Sequence, residues 1–241
     1  MRLSASDCLL SALDRASLLQ VLPKGGIGME IGVNRGFYSR RILKDAQPSV
    51  LHLVDPWPTN RSDEYISTYR VKDNMEDHYQ LVRRTFSNEI AAGTVVLHRE
   101  YSQDCAGRFT DATFDYIYVD GMHSYEACYR DLGLYASKLK PGGILFGHDF
   151  SNTESGRRKQ FGVVSAVRDF VEQSDFMPVA VTLENAPSYM LTRDEETRDQ
   201  LIERILRAAP AVMSSFARIA DLKQIQIIFG DGPEKVELIH V

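Results

Sequence analysis

Short apolar runs and amphipathic stretches alternate along most of the chain. Apolar residues at helical spacing predict helices over 38–43, 73–92, 124–139 and 161–174. The apolar runs between them predict seven strands, at 28–33, 49–54, 94–98, 115–119, 143–146, 177–182 and 188–192. Strands that alternate with helices in this way predict an α/β fold, in which a doubly wound, mostly parallel seven-stranded sheet is covered by helices on both faces.

The two ends of the chain depart from this alternation. Residues 5–21 carry leucines at helical spacing, which predicts an N-terminal helix ended by a Pro-Lys-Gly-Gly turn. Residues 194–217 are predicted to be helical. The apolar runs 224–229 and 235–239 flank a Gly-Asp-Gly-Pro turn, which predicts a β-hairpin. Because an isolated hairpin is only marginally stable in water, we expect it to pack on the rest of the protein or on another subunit.

Two strand candidates end in ionisable side chains. The first lies in the segment FDYIYVDGMHSYEACYRD and is followed by Asp120 and His123. The second lies in KPGGILFGHDF and is followed by His148 and Asp149. Because parallel strands joined by a helix have their carboxyl ends at the same edge of a sheet, we expect these four side chains to meet in one crevice. Two carboxylates with imidazoles suit a divalent metal and a general base.

A glycine-rich turn follows the first strand candidate. It reads E-I-G-V-N-R-G from Glu30 to Gly36, and it differs from the G-x-G-x-x-G dinucleotide fingerprint. Gly32 and Gly36 let the backbone turn tightly and let a ligand approach, although glycines after a strand are also ordinary turn residues. Asp55 ends the second strand candidate, where an acid accepts hydrogen bonds from ribose hydroxyls or simply begins a turn. Trp57 either covers a bound nucleoside or packs in the core.

The glycine loop, the acid at the end of the second strand and the Lys-Pro-Gly-Gly turn before the fifth strand together resemble class I methyltransferases that use S-adenosylmethionine. The residues that carry this resemblance are Glu30, Gly32, Gly36 and Asp55. It implies a Rossmann-like fold in which the glycine loop lies against the methionine part of the cofactor and Asp55 holds the ribose. Ser102, after the third strand, matches a position that often lies near the adenosine, although it equally fits a helix N-cap.

Two further motifs, VDGMHSYEACYRDL and GGILFGHDF, resemble a smaller group within this family, which includes the macrolide-sugar O-methyltransferases. In those relatives acids after the fourth and fifth strands bind Mg²⁺, and a histidine three residues after the first acid is the proposed base. Carried over by position, Asp120 and Asp149 are metal ligands, Asp120 also borders the cofactor, and His123 is the base. His148 replaces a second acidic ligand and either binds the metal or supports a ligand. The alternatives are a turn cap for Asp120 and a loop hydrogen bond for His123.

Composition limits the other functions of the chain. Its 241 residues carry a net charge of −5, which gives no basic footprint for nucleic acid. The first residues lack the apolar core of a signal peptide, and no run reaches 18 apolar residues, so we expect neither export nor a membrane span. The three cysteines show no C-x-x-C spacing, which indicates reduced thiols in a cytoplasmic protein.

These observations lead to one expected function and three alternatives. We expect an S-adenosylmethionine-dependent O-methyltransferase, assisted by Mg²⁺ or another divalent cation, that acts on a hydroxyl of a small molecule such as a sugar or another natural product. The alternatives are a metal-independent methyltransferase of the same fold, an NAD-dependent oxidoreductase, and a nucleoside-binding module without activity.

We expect three parts in the chain: a helical segment at 1–24, a methyltransferase domain at 25–193, and a helix with a hairpin at 194–241. The two terminal parts indicate a homo-oligomer, and we expect no nucleic-acid or membrane partner. The polar loop at 151–162 is either a lid over the acceptor or an ordinary surface loop, and the long connection after Pro56 is a second lid candidate.

Overall fold

The computed structural model describes residues 7–11, 13–58, 74–151, 161–208, 215–219, 222–228 and 235–240. Most of the loop at 151–162 and most of the long connection after Pro56, both lid candidates, lie outside these residues. No helix in the described part of the chain is long and apolar enough to cross a membrane.

Within the described residues, nine strands form one sheet and two more form a separate hairpin. The strands are β1 (Asp7–Ser11), β2 (Ile27–Ile31), β3 (Val50–Val54), β4 (Val95–His98), β5 (Phe114–Val119), β6 (Leu139–Gly147), β7 (Met177–Thr182), β8 (Tyr189–Thr192), β9 (Ser215–Arg218), β10 (Lys223–Ile228) and β11 (Lys235–His240). The α-helices are α1 (Arg15–Leu18), α2 (Phe37–Arg41), α3 (Met75–Thr85), α4 (Ser87–Ala91), α5 (Ser102–Cys105), α6 (Tyr125–Ala136), α7 (Val163–Gln173) and α8 (Glu195–Ala208).

The sheet has the strand order β4-β3-β2-β5-β6-β8-β7-β1-β9, and only β8 and β9 run against the other strands. The chain moves outward from β2 to β3 and β4, and then crosses back to β5 on the other side of β2. This reversal creates a crevice at the carboxyl ends of β2, β3 and β5, where α/β proteins bind ligands. The predicted Rossmann-like, mostly parallel sheet is therefore confirmed, and β1 and β9 extend it beyond the seven strands expected.

Two apolar cores cover the two faces of the sheet. One core contains Leu132 of α6 together with Val167 and Phe170 of α7. The other core contains Val82 of α3 and Ile205 of α8. Strands buried on both faces explain why the central runs of the sequence are almost continuously apolar.

The N-terminal segment differs from the predicted helix over 5–21. Residues 7–11 form strand β1, which pairs in parallel with β7, and the helix begins only at Arg15. Asp14 is its N-cap and accepts a hydrogen bond from the Ser17 backbone N–H at 2.8 Å. In the strand, Leu9 faces one core and Leu10 the other, as a period of two requires. A helix would bury these leucines on one face, whereas a strand buries them on two. Pairing with β7, which lies far away in sequence, favours the strand.

The C-terminal part agrees with its prediction only partly. Helix α8 ends at Ala208, whereas a helix was expected to 217, and residues 215–218 form β9 antiparallel to β1. The predicted hairpin is confirmed, because β10 and β11 pair antiparallel from Lys223 with His240 to Ile228 with Lys235.

Candidate active site

A cleft opens at the carboxyl ends of β2, β3 and β5, where the sheet topology reverses. It contains about 430 Å³ of empty space, part of it open to solvent. Three groups of residues line it: Ile31, Gly32, Val54, Asp55 and Pro56 from the first two strand ends, Tyr101, Ser102 and Gln103 after β4, and Gly121, Met122, Arg130 and Asp131 after β5. The structure thus brings together Gly32, Asp55 and Ser102, three residues predicted to contact a cofactor.

Asp55 orders the glycine loop through the backbone. Its Oδ2 accepts hydrogen bonds from the N–H groups of Val33 at 3.0 Å and Asn34 at 2.8 Å, and its Oδ1 accepts one from Trp57 N–H at 2.8 Å. The side chain is buried, and burial raises the pKa of Asp55, although the three backbone hydrogen bonds oppose the rise. Each carboxylate oxygen has more than one acceptor site, so the acid retains capacity for a ribose hydroxyl.

Gly32 connects the cleft to Asp120 through the backbone. Its φ is +89°, and a Cβ at this position would lie 2.0 Å from the Asp120 carbonyl oxygen. No side chain fits there, so the loop after β2 and the end of β5 are in direct backbone contact. Any displacement of one therefore moves the other.

The other predicted residues of the glycine loop lie behind the cleft. Glu30 is buried and accepts a hydrogen bond from the Ser39 hydroxyl, and burial raises its pKa well above the ordinary value. Gly36 has φ +72°, and a Cβ there would come within 2.8 Å of the Phe86 ring, so its conformation and packing both require glycine. Trp57 is fully buried and donates its indole N–H to the Asn34 carbonyl at 2.8 Å. It therefore packs in the core, one of the two alternatives open from the sequence.

Asp131 is a cleft residue that sequence analysis missed. Ser102 donates its hydroxyl to Asp131 Oδ1 at 2.6 Å, and Tyr135 donates its hydroxyl to the Ser102 carbonyl at 2.8 Å. Burial raises the pKa of Asp131 to about 6, against the hydrogen bond from Ser102. The signal was its position on the buried stripe of α6, three residues after Cys128 and four before Tyr135. A carboxylate on an apolar stripe commonly marks a site.

A carboxylate–histidine group lies beside this cleft, at the ends of the adjacent strands β5 and β6. Asp120, His123 and Asp149 each offer one ligand atom, and these atoms lie within 4.8 Å of one another. His123 Nε2 is 2.9 Å from Asp149 Oδ2 and 3.4 Å from Asp120 Oδ1. His148 Nδ1 lies 3.4 Å from Asp149 Oδ2 and 3.9 Å from Asp120 Oδ1. The structure thus brings together all four side chains that the strand ends predicted to meet.

The local backbone holds this group in place. Asp149 has φ +54°, a left-handed conformation that aspartate tolerates better than most residues. His148 N–H donates to the Val119 carbonyl at 3.3 Å, which continues the pairing of β6 with β5. The chain returns at Gly162, whose N–H donates to the His123 carbonyl at 2.7 Å, and the Phe161 ring lies 4.6 Å from the imidazole. These contacts fix the histidine from two sides.

Hydrogen bonds shift the pKa values of the acids and the histidine in this group. Burial alone lowers the pKa of His123, but its hydrogen bonds to Asp120 and Asp149 outweigh burial and raise the pKa to about 10. Burial raises the pKa of Asp149, yet the hydrogen bonds from His123 and His148 outweigh that effect and lower it. Both shifts favour the imidazolium form of His123 between two carboxylates. His123 Nδ1 is buried and has no hydrogen-bond partner among the described residues.

Arg15 is a second residue that sequence analysis missed. Its Nη1 lies 3.6 Å from Asp120 Oδ2 and donates to the Tyr118 hydroxyl at 3.4 Å. That hydroxyl in turn donates to Asp120 Oδ2 at 3.2 Å. The guanidinium also lies over the Tyr38 ring, 5.1 Å from its centre. The N-terminal helix α1 thus brings a cation to the edge of the carboxylate–histidine group.

Comparison with known proteins identifies a family for about half of the chain. A family model described as a methyltransferase domain matches residues 29–150, about half of the chain. No curated protein matches the sequence.

Solved structures show the same fold at low sequence identity. A Corynebacterium glutamicum protein is 17% identical, with a TM-score of 0.53 over 77% of this chain and 83% of its own. Spermidine synthase from Thermotoga maritima is 13% identical, with a TM-score of 0.51 over 81% of this chain and 62% of its own.

Proposed function

The chain belongs to this family of methyltransferase domains and uses S-adenosylmethionine, and from this premise we propose that it methylates a hydroxyl group of a small molecule, such as a sugar or another natural product, with the help of a divalent cation. The observation that carries the proposal is the convergence of Asp120, His123 and Asp149 at two adjacent strand ends beside the cofactor cleft. The backbone contact between Gly32 and Asp120 makes the cleft and this group neighbours.

The donor set fits a divalent cation. Asp120 and Asp149 supply oxygen ligands, which Mg²⁺ prefers, and His148 offers a nitrogen that Mn²⁺ or Fe²⁺ also accepts. Without an ion, the two acids share the charges of the His123 imidazolium and the Arg15 guanidinium. A cation on the acids would take over this neutralising role.

The protein supplies a base and a position that aligns the acceptor. A bound divalent cation lowers the pKa of a hydroxyl beside it. His123 Nε2 faces both acids, whereas Nδ1 is buried. If a cation occupied the two acids, they would no longer hold a proton on Nε2, and this atom could then receive the proton of the acceptor hydroxyl. The chain must also hold the acceptor oxygen in line with the methyl group, and such positioning accounts for much of the rate in group-transfer reactions.

The cleft residues bind the nucleoside end of the methyl donor. We assign the ribose to Asp55, and we assign the adenine edge to the pair formed by Ser102 and Asp131. An ionised Asp131 accepts hydrogen bonds, which suits the amino group of adenine. Gly32 lets the methionine part approach the loop backbone.

Two measurements separate the cofactor claim from the metal claim. Calorimetry with S-adenosylhomocysteine, the demethylated product, tests the cleft without knowledge of the acceptor. Methyl transfer to a panel of hydroxylated small molecules, with and without a chelator, then tests the metal. We expect chelation to abolish transfer and added Mg²⁺ or Mn²⁺ to restore it.

Asp149→Asn is the variant for the metal claim. We expect it to lose at least about a hundredfold in rate while it binds S-adenosylhomocysteine normally, since removal of a group that supports transition-state charge has effects of this size. Asp111→Asn is the matched control, because Asp111 lies at the opposite end of β5 and pairs with Lys138 on the surface. Transfer that survives both chelation and Asp149→Asn would exclude the metal.

Arg15 favours a second candidate, a metal-independent methyltransferase of the same fold. Its guanidinium already neutralises Asp120, so it performs part of the role of a cation. In that case His123 acts as the base only after it loses the proton that Asp120 and Asp149 stabilise, so the rate rises with pH. Chelation leaves the rate unchanged, whereas Arg15→Gln lowers it.

A further inference from the structure

A second group of potential metal ligands lies behind the wall of the cofactor cleft. His98 ends β4, Glu100 follows it, and Cys105 ends α5. One nitrogen, one oxygen and one sulfur atom from these side chains lie within 4.8 Å of one another. A tetrahedral zinc ion holds its ligand atoms about 3.5 Å apart. His98 Nδ1 and Glu100 Oε1 are already 3.7 Å apart, and no pair of the three atoms needs to approach by more than about 1.3 Å to reach the zinc-bound spacing.

His52 supports the histidine of this group. Its Nδ1 lies 2.9 Å from His98 Nε2, so the nitrogen of His98 that points away from Glu100 already has a hydrogen-bond partner. Histidines that bind metals nearly always donate their other N–H to an acceptor such as a carboxylate or a backbone carbonyl, which fixes the tautomer and the ring orientation. Here the His52 nitrogen takes the place of that acceptor. The Phe109 ring packs edge-on against both imidazoles. His98 is therefore held with Nδ1 directed at Glu100.

The group is enclosed but accessible. Cys105 is fully buried, whereas the side chains of His98 and Glu100 are 13% and 20% exposed. Arg108 Nε lies 2.7 Å from Glu100 Oε1, but its side chain is 63% exposed, and ion pairs with such exposed partners are weak. Glu100 also has a second oxygen. An ion can therefore reach the group from solvent and compete with the arginine.

We propose that His98, Glu100 and Cys105 bind a zinc-class divalent ion at a site separate from the carboxylate–histidine group. A thiolate with an imidazole favours Zn²⁺ over Mg²⁺, which prefers oxygen ligands. On binding, Cys105 loses its thiol proton to solvent, and His98 keeps its proton on Nε2 for His52. Tyr101, Ser102 and Gln103 lie between these ligands in sequence and line the cofactor cleft, so the ion fixes one wall of that cleft.

Titration of the metal-free full-length chain with Co²⁺, followed by absorption, tests the proposal. Co²⁺ bound to a thiolate gives an intense charge-transfer band that oxygen and nitrogen ligands do not produce. We expect this band at one equivalent in wild-type protein and in Asp149→Asn, which removes the other group. Cys105→Ser must abolish the band. Cys128→Ser is the matched control, because Cys128 is equally buried but lies on α6, and it must keep the band.

His52→Phe gives a second test that leaves all three ligands in place. Its ring replaces an imidazole that already packs against Phe109 and Phe114, and we expect Co²⁺ to bind about 10- to 100-fold more weakly. The absence of a band from folded wild-type protein, or a band that persists in Cys105→Ser, overturns the proposal. An unchanged affinity in His52→Phe overturns the assignment of His98 as a ligand.

Discussion

Replacing Gly32 by alanine tests the backbone contact between the glycine loop after β2 and Asp120 at the end of β5. An alanine at φ +89° costs about 1–2 kcal/mol in backbone conformation. Its Cβ would lie 2.0 Å from the Asp120 oxygen and 2.5 Å from the Asp120 carbonyl carbon. These are backbone atoms, so relief requires the two segments to separate by more than about 1 Å. Overpacking of this kind costs typically about 1–3 kcal/mol. We therefore expect Gly32→Ala to lower the free energy of unfolding by about 2–5 kcal/mol, out of a typical total of about 5–15 kcal/mol.

Gly25→Ala separates the two contributions. Gly25 has φ +73°, but no described atom lies within 4 Å of an added Cβ, so this variant pays only the conformational cost. Urea unfolding of both variants measures the difference, and calorimetry with S-adenosylhomocysteine measures the effect on the cleft. We expect Gly25→Ala to lose about 1–2 kcal/mol and to bind S-adenosylhomocysteine normally, whereas Gly32→Ala loses more stability and binds it weakly. Equal stability of the two variants, with wild-type binding, would show that the contact between the loop and Asp120 is not tight.

Three further substitutions test separate parts of the fold. Burial raises the pKa of Asp131 from 3.8 to about 6. As the pH rises, the carboxyl therefore ionises in the unfolded chain before it ionises in the folded protein, and the folded protein loses stability between about pH 4 and pH 6. Thermal unfolding should show Asp131→Asn about as stable as wild type at pH 4 and roughly 2–3 kcal/mol more stable at pH 7. Trp57→Phe leaves the Asn34 carbonyl without its indole donor and should cost about 1–3 kcal/mol in urea unfolding, with a smaller loss contradicting the hydrogen bond. The buried Arg198 donates a hydrogen bond to the Asp7 carbonyl. Arg198→Met should therefore lower the free energy of unfolding by about 2–4 kcal/mol and speed amide exchange in β1. Unchanged exchange in β1 would refute this role.

The central part of the fold follows from local patterns, whereas its edges do not. Strands such as β5 and β7 are almost continuously apolar and mostly buried on both faces, so their positions are visible in the sequence. The segment that forms β1 has leucines that suit a helix as well as a strand, and its pairing with β7 bridges about 170 residues of chain. The local sequence does not show which distant strand the segment will pair with. That pairing makes the segment a strand even though its leucines have helical spacing.

The same distinction applies to the candidate site. Asp120, His123 and Asp149 were predicted to meet because each follows a strand, and the position of a strand end is a property of local sequence. Arg15 reaches the site through contacts with Tyr118 and Asp120, which lie more than 100 residues away in sequence, so its own neighbours could not reveal this role. Asp131 had a local signal, a charge on the buried stripe of its helix, but an amphipathic pattern alone does not tell which elements that stripe faces.

Asp55 and Asp120, two acids at strand ends, differ in how easily their hydrogen-bond partners can be replaced. All three hydrogen bonds that Asp55 accepts come from backbone N–H groups, and the side chain is buried, so its partners cannot be replaced without unfolding the glycine loop. Among the described residues, the side-chain oxygens of Asp120 contact other side chains, and two of these partners, His123 and Arg15, are cationic or become so. A cation or an acceptor can displace such partners by small rotations. The first arrangement suits a cofactor that binds the same way in every cycle, and the second suits the step at which charge and protons move.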